Sequence, residues 1–351
     1  MSESRVLVVG SGPAGLSAAH ALAAAGSRVT LVEKADRLGG APILSGYARL
    51  VPSHEWARDA IGGMVARVEG NQRIDIHRSA VVENFEGSLG NFRAKLSNGQ
   101  VIGADAAVLC TGFTHFDSVS KPEWGFGIYP DVVTTVQVEQ MFSSGAGVRC
   151  PSDGRVPDRV AILLCVGSRD RQIGREWCSK ICCTVSANIA MEIREALPKS
   201  SVYIYYMDVR TFGLYEGPYY WESQEEHRVK YIKARIAEVA SDGKRLILKG
   251  EDTLVKRPIT IPFDMVVQAV GMDPNVDNVH IASVFGIQLD KYGYVRKAPV
   301  YSAAGGTSRP GVFVAGAATG PETIDDSIAQ GQSAAIAVLA AMRMPVQEAA
   351  E

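Results

Sequence analysis

Residues 5–40 read RVLVVGSGPAGLSAAHALAAAGSRVTLVEKADRLGG, and this stretch decides the fold. An apolar run, a glycine turn, an alanine-rich segment, a second apolar run and an acid follow in the order of a strand–helix–strand unit. Each glycine has a mechanical task. Gly10 permits the tight turn, Gly12 lets the backbone approach a pyrophosphate, and Gly15 lets the helix pack against the strand. Pro13 and Ala14 start that helix, whose free N–H groups meet the phosphate charge. Glu33, with Lys34 beside it, closes the second strand, where its carboxylate is placed to accept from both hydroxyls of an adenosine ribose. The glycines alone would be weak evidence. Strand, turn, helix and terminal acid in sequence read as a dinucleotide site.

Composition narrows the setting. With 351 residues, 46% apolar content and 35 glycines, the chain can bury a large core and is expected to form two domains. A formal charge of −2 with evenly mixed signs provides no basic face for nucleic acid and no polybasic stretch for an anionic membrane. No leader peptide and no membrane-length apolar run is apparent, so the expectation is a cytoplasmic protein. Thiols are kept reduced in that compartment, so clustered cysteines point to metal binding or catalysis rather than a structural disulfide.

NAD and FAD share the N-terminal fingerprint, and three further segments favour FAD. Arg37-Leu38-Gly39-Gly40 follows the acid. Ala107-Val108-Leu109-Cys110-Thr111-Gly112 is a buried strand running into a Thr-Gly turn. PGVFVAGAATGPETIDDSIAQGQSAAIAV (310–338) is again strand, glycine turn and helix. Together they resemble the flavin-contacting segments of two-dinucleotide-domain flavoproteins of the thioredoxin-reductase type. The resemblance implies FAD contacts at Leu38, Gly39, Gly40, Thr111, Gly112, Gly316 and Ala317. Many of these flavoproteins carry an Asp after the strand-end glycine, where this chain has Gly316-Ala317-Ala318. That contact is then expected from backbone N–H groups between Ile324 and Ser327.

The flavin segments bracket an insertion. The expected division is an FAD domain of residues 1–125 plus 276–351, interrupted by a second, Rossmann-like domain at 126–275. A strand at 160–167, a helix at 184–197 stopped by Pro198, and a strand at 201–208 form its βαβ unit. Where a nicotinamide nucleotide would need a second glycine fingerprint, the chain reads Cys165-Val166-Gly167-Ser168-Arg169-Asp170, and CVGSRDRQIGREWCSKICC continues to residue 183.

That segment holds Cys165, Cys178, Cys182 and Cys183, spaced C-x12-C-x3-C-C. Cys165 ends a strand while the other three sit at the mouth of the next helix. If 178–183 were helical, Cys178 and Cys182 would share a face and Cys183 would point about 100° away. A shared ligand therefore needs irregular backbone or a large object with several corners. A cubane [4Fe–4S] cluster is such an object, and the helix N-terminus would offset its negative charge. The rivals are structural zinc, which favours short C-x2–4-C knuckles, a flavin-linked CxxC dithiol, which the chain lacks, and a vicinal Cys182–Cys183 disulfide. Cys110 and Cys150, outside the cluster, read as inert buried cysteines. The six histidines are scattered and read as surface or packing residues.

CVGSRD, WCSKICC, the TFG and EGPYYWES runs, VVQAVGM and VFVAGAATGPETIDDSIAQ together resemble the FAD-carrying subunit of heterodisulfide reductase over nearly the whole chain. The resemblance implies that the four clustered cysteines ligate a [4Fe–4S] cluster beside the flavin. Ferredoxin-like cysteine modules of the methanogen forms do not occur here. The chain looks like the short form associated with heterodisulfide-reductase-like complexes of sulfur oxidisers. Glu322 stands where a Lys is expected near the flavin of methanogen versions, and an acid would not stabilise negative charge on a flavin as a cation could. The resemblance therefore implies an electron-transfer subunit without bifurcation, paired as a homodimer and joined by the other subunits of such a complex. Tyr215 to Trp221 reads as a partner or dimer surface, or as an aromatic loop packing internally. The competing function is a stand-alone NAD(P)H-dependent flavoprotein reductase.

Overall fold

The computed structural model describes residues 3–299 and 305–343; Val346 to Glu351, expected to be loose, lie outside the described residues. The chain divides into two compact units, Met1–Leu44 with Ala57–Thr114 and Asp273–Glu351, and Ser45–Trp56 with His115–Met272.

These divisions differ from residues 125 and 275 for physical reasons. Phe116 is buried in the core of the second unit with Leu163, Val166 and Val266, which draws the chain after 115 into that unit. Residues 45–56 join it through hydrogen bonds: Ala48 N–H donates to Glu139 at 2.7 Å, and the Gln140 amide donates to the Ser45 carbonyl at 3.0 Å.

The first unit is built on a five-stranded sheet in the order Val312–Val314, Ala106–Leu109, Arg5–Val9, Arg28–Val32, Ile74–His77. All of its pairings are parallel, so the strands are covered on both faces and read as near-continuous apolar runs. Helix Pro13–Ala24 makes the first crossover, with proline at its start and no side-chain cap. Its run of alanines costs little side-chain entropy and permits close packing. Helix Ile324–Arg343 crosses it at Gly331, where an added Cβ would lie 2.3 Å from the Ala14 carbonyl oxygen. The backbones of the two helices therefore approach directly.

The second unit has a seven-stranded sheet with the parallel pair Arg159–Val166 and Ser201–Tyr206 at its centre. Met265–Val270 and then Val132–Thr134 continue it on one side, and Lys230–Ser241 begins an antiparallel extension on the other. The charged segment from Lys230 is thus a strand with solvated alternate positions. Helix Cys182–Ala196 connects the central pair. It starts two residues earlier than the apolar pattern implied and takes Cys182 and Cys183 into its first turn. From Cys183 to Ile193 nearly every residue is buried. Among the described residues no helix is long and apolar enough to cross a membrane.

Candidate functional site

In the first unit the glycine turn is lined by backbone. Gly10 adopts a left-handed φ of 96°, and a Cβ there would sit 2.3 Å from the Cys110 carbonyl oxygen. A Cβ on Gly15 would overlap the Gly10 carbonyl at 1.9 Å. Both positions are closed to any side chain. Gly12 differs: its Cβ direction is open, and the nearest atom is Gly40 Cα at 3.9 Å. Gly40 in turn would meet Gly12 Cα at 2.6 Å, and Gly39 N–H donates to Ser11 O at 3.0 Å. The two loops therefore meet backbone to backbone, with Leu38 buried beneath them. Gly12 begins the uncapped helix, whose first-turn N–H groups have no intrahelical acceptor. An anion is the natural partner for such an end.

Glu33 is buried and already engaged. Oε2 accepts from Ser11 N–H at 2.8 Å and from the Ser11 hydroxyl at 2.7 Å, while Oε1 accepts from Ala35 N–H at 2.8 Å. Three of roughly four acceptor positions on a carboxylate are thus taken by the protein, leaving capacity for about one further donor rather than two. Glu33 is a pillar of the turn as well as a candidate ribose ligand. The Lys34 ammonium is ion-paired with Asp277 at 2.8 Å on the surface.

The strand-end segments carry their own signals. Thr111 Oγ1 is buried with no hydrogen-bond partner among the described residues, the kind of orphan that a bound group satisfies. The adjacent Gly112, left-handed at 71°, has open space at its Cβ position. Gly316 lies against Ala14, with 2.8 Å between its added Cβ and that methyl. Its N–H is held by the Gln330 side-chain oxygen at 3.0 Å, and the Gln330 amide donates to Glu322 at 2.8 Å. Ala317 belongs to the short turn after Gly316. Of the N–H groups between Ile324 and Ser327, two are already bonded: Asp326 to the Thr323 hydroxyl at 3.1 Å and Ser327 to the Thr323 carbonyl at 3.0 Å. Sequence reasoning passed over Ser11 and Gln330, although Ser11 sits inside the fingerprint itself.

In the second unit the cysteine loop is irregular where a shared ligand needs it to be. The pairing of Arg159–Val166 with Met265–Val270 slips between Leu163 and Val166. Leu164 and Cys165 bulge there, and a bulge re-aims its side chains. Cys165, Arg169 and Lys180 all have left-handed φ angles, 65°, 57° and 63°. Lys180 is the break that stops 178–183 from being one helix, so Cys178 approaches from a loop while Cys182 and Cys183 come from the uncapped first turn of helix Cys182–Ala196.

N–H groups point at the sulfurs. Lys180 N–H donates to Cys178 Sγ at 3.4 Å and Arg210 N–H donates to Cys183 Sγ at 3.3 Å, while burial raises the Cys165 pKa and the nearby Arg169 charge works against that rise. Burial raises the Cys182 pKa well above that of an ordinary thiol, and the neighbouring Cys165, Cys183 and Cys178 raise it further; Cys183 is pushed up to about 11, chiefly by burial. Thiols raised in this way ionise readily only beside a cationic centre, which a metal supplies. Among the described residues, the group of three ligand atoms lying within 4.8 Å of one another is Glu222, Glu226 and His227 on the surface, not a cysteine trio. Tetrahedral zinc, with bonds of about 2.3 Å to sulfur, would hold thiolates roughly 3.8 Å apart. Cys110 and Cys150 stand apart from the loop and are buried.

The turn that would serve a second nucleotide is filled by protein. A Cβ on Gly167, left-handed at 72°, would meet the Phe116 ring at 2.0 Å. The hydroxyls of Ser168 and Ser179 bond each other at 2.6 Å, and Ser179 accepts from Met272 N–H at 2.8 Å. The aromatic run is partly inward: Tyr219 is buried against Ala187 and Met191, whereas Trp221, Phe212 and Leu214 are exposed.

A model of the pyridine nucleotide-disulphide oxidoreductase family matches residues 4–115 and 187–331. The two matched segments flank residues 116–186, which contain all four clustered cysteines. A CoB–CoM heterodisulfide reductase iron-sulfur subunit from Methanocaldococcus jannaschii is 30% identical over 418 residues, covering 95% of this chain and 63% of that protein. Its counterpart from Methanopyrus kandleri, also a CoB–CoM heterodisulfide reductase iron-sulfur subunit, is 37% identical over 236 residues, covering 65% of this chain and 36% of that protein. The chain thus spans less than two thirds of the length of these curated relatives. Thioredoxin reductase of T. acidophilum superposes with a TM-score of 0.67 at 21% identity, covering 96% of this chain and 99% of that one. The fold is that of the thioredoxin-reductase-like, two-dinucleotide-domain flavoproteins.

Proposed function

The chain belongs to the pyridine nucleotide-disulphide oxidoreductase family, and from that premise we propose that it is an electron-relay subunit pairing FAD with a [4Fe–4S] cluster. The observation that carries this reading is the irregular cysteine loop, with backbone N–H donors aimed at two of its four sulfurs. When bound, the flavin supplies two-electron exchange and the cluster one-electron exchange. The chain's own residues do the rest. Gly12, Gly39 and Gly40 form a cradle for the pyrophosphate, Glu33 offers its remaining acceptor capacity to the ribose, and Thr111 Oγ1 gains the partner it lacks. Cys165, Cys178, Cys182 and Cys183 hold the iron, and the start of helix Cys182–Ala196 offsets the negative charge.

The proposal extends to a cytoplasmic heterodisulfide-reductase-like complex in sulfur oxidation, with this chain as a homodimer among other subunits. It is supported by the curated relatives, which are named as subunits of such reductases. Relay without bifurcation is supported by Glu322, a carboxylate ordered by Gln330 on the candidate flavin segment. Against a stand-alone NAD(P)H reductase stands Phe116, whose ring fills the second glycine turn.

Anaerobic purification with flavin, iron and sulfide analysis tests the reading. FAD, with iron and acid-labile sulfide in equal amounts and an iron-dependent paramagnetic signal on reduction, is the expected result. Stoichiometric zinc without that signal would sink it. Bleaching of the flavin within milliseconds of mixing with micromolar NADH would turn the assignment to the stand-alone reductase. Light scattering at the mass of two chains is the expected result for the homodimer, and the mass of one chain would remove it.

A further inference from the structure

Arg169 stands four residues past Cys165 in a left-handed conformation, φ 57°, which a non-glycine residue keeps only where its surroundings hold it. Those surroundings are specific. Its backbone N–H donates to Trp177 O at 2.9 Å. Its guanidinium grips Asp208 with both terminal nitrogens, Nη2 to Oδ2 at 3.1 Å, and its charge works against the burial that raises the Cys165 pKa. Asp208 also accepts from Arg210 Nη2 at 3.4 Å, and the N–H of Arg210 reaches Cys183 Sγ. One carboxylate therefore ties the Arg169 cation to the residue whose N–H donates to Cys183.

Asp208 occupies a telling station. It lies just past strand Ser201–Tyr206, which pairs with Arg159–Val166. Glu33 lies just past strand Arg28–Val32, which pairs with Arg5–Val9 in the first unit. In a nucleotide-binding βαβ unit the acid at this station faces a ribose; in the second unit it faces a guanidinium.

We propose that Asp208 and Arg169 form a clamp that sets the reduction potential of the cysteine-held cluster, with Arg169 supplying a fixed positive charge beside the cysteine loop. The clamp rests on the relay reading above. A neighbouring cation and hydrogen bonds to ligand sulfur favour the cluster state that carries one more electron, so Arg169 raises the potential at which that electron enters from the flavin. The guanidinium keeps its charge throughout, so no proton moves with the electron at this residue.

Redox titration of the anaerobically purified full chain, followed by electron paramagnetic resonance, tests the clamp. Arg169→Gln is expected to shift the cluster midpoint to more negative potential with FAD content unchanged. Arg169→Lys should shift it less, because the charge remains but the planar fork is lost, and Asp208→Asn should shift it in the same direction by freeing the arginine. Normal iron content and the parent's midpoint in Arg169→Gln would overturn the clamp while leaving the relay standing; a parent chain without an iron-dependent signal would overturn the relay itself. Should Arg169→Gln fail to assemble iron, parental midpoints in both Arg169→Lys and Asp208→Asn would overturn the clamp.

Discussion

The two βαβ units of this chain start from one plan and differ at the turn after the first strand. In the first unit the glycine after the strand, Gly10, packs on backbone, its added Cβ 2.3 Å from the Cys110 carbonyl oxygen, while Gly12, two residues on, has an open Cβ direction. In the second an added Cβ at Gly167 runs into the Phe116 ring at 2.0 Å, and the residues that follow are cysteines and their supports. Topology is shared and chemistry is not, because the ligand is chosen by what the turn leaves open. A turn of open glycine admits a phosphate; a turn filled by its own side chains hands the helix N-terminus to thiolates.

The comparison breaks most visibly at the thiols. Replacing Cys165, Cys178, Cys182 or Cys183 with Ser is expected to abolish or cripple iron binding while FAD content stays at the parent's level, because the flavin segments belong to the other unit. Cys110→Ser and Cys150→Ser are expected to keep both. Iron and flavin assays on the six variants check this, and FAD lost together with iron would mean that the two turns are not independent.

Gly12→Ala sharpens the other side. Its φ of −66° suits any residue and its Cβ direction is open, so the fold should change by less than about 1 kcal/mol. The methyl nevertheless projects from the turn where a pyrophosphate would approach. Flavin retention after desalting should fall at least roughly tenfold, which corresponds to about 1.4 kcal/mol. Thermal unfolding of the apoprotein and a flavin-to-protein ratio separate the two effects. Full flavin retention would remove Gly12 from the cradle.

Buried acids provide a third contrast. Glu33 accepts three donors, whereas Glu139 accepts one backbone N–H from Ala48, and Glu192 Oε2 is buried without a hydrogen-bond partner among the described residues. Burial raises the pKa of Glu139 to about 8 and that of Glu192 to about 7, the nearby Arg49 working against the shift at Glu192. Because these folded values lie above the unfolded value near 4.5, the folded state holds protons that the unfolded state releases. Their contribution is full below about pH 4.5 and is lost as pH rises toward 7 to 8, at no more than about 1.4 kcal/mol per pH unit for each group. Glu139→Gln and Glu192→Gln should flatten that decline. Urea unfolding between pH 5 and 8 reads it, and parental slopes in both variants would count against buried, protonated acids.

The smallest effect is expected at Lys34. Its ammonium is paired with Asp277 at 2.8 Å, and both side chains are about half exposed. Lys34→Ala should alter stability by less than about 1 kcal/mol and leave flavin retention unchanged. A tenfold loss of flavin would restore Lys34 as a direct ligand.

Much of this was legible before any coordinates. The strand–turn–helix–strand order at 5–40, the alternation of apolar runs with glycine turns, and the four-cysteine spacing are local patterns, and local periodicity is what a sequence displays directly. The Gly10 and Gly15 assignments needed no more than the knowledge that two backbones must touch. Less legible was the extent of each unit. Strand Met265–Val270 is fully buried inside the second unit's sheet, and the chain enters the first unit again at Asp273. Residues 45–56 give no periodic sign of where they pack.

Sequence alone therefore determined the elements, their order, and which residue types could meet phosphate or iron. Tertiary structure alone decided that Phe116 closes the second turn, that a bulge and Lys180 replace a regular helix at the thiols, and that Asp208, 39 residues away, holds Arg169 beside the cysteine loop. The physical reason is separation along the chain. Helix and strand signals repeat every few residues and are readable in place, whereas a side chain's partner across a sheet is set by register and packing that no local pattern encodes.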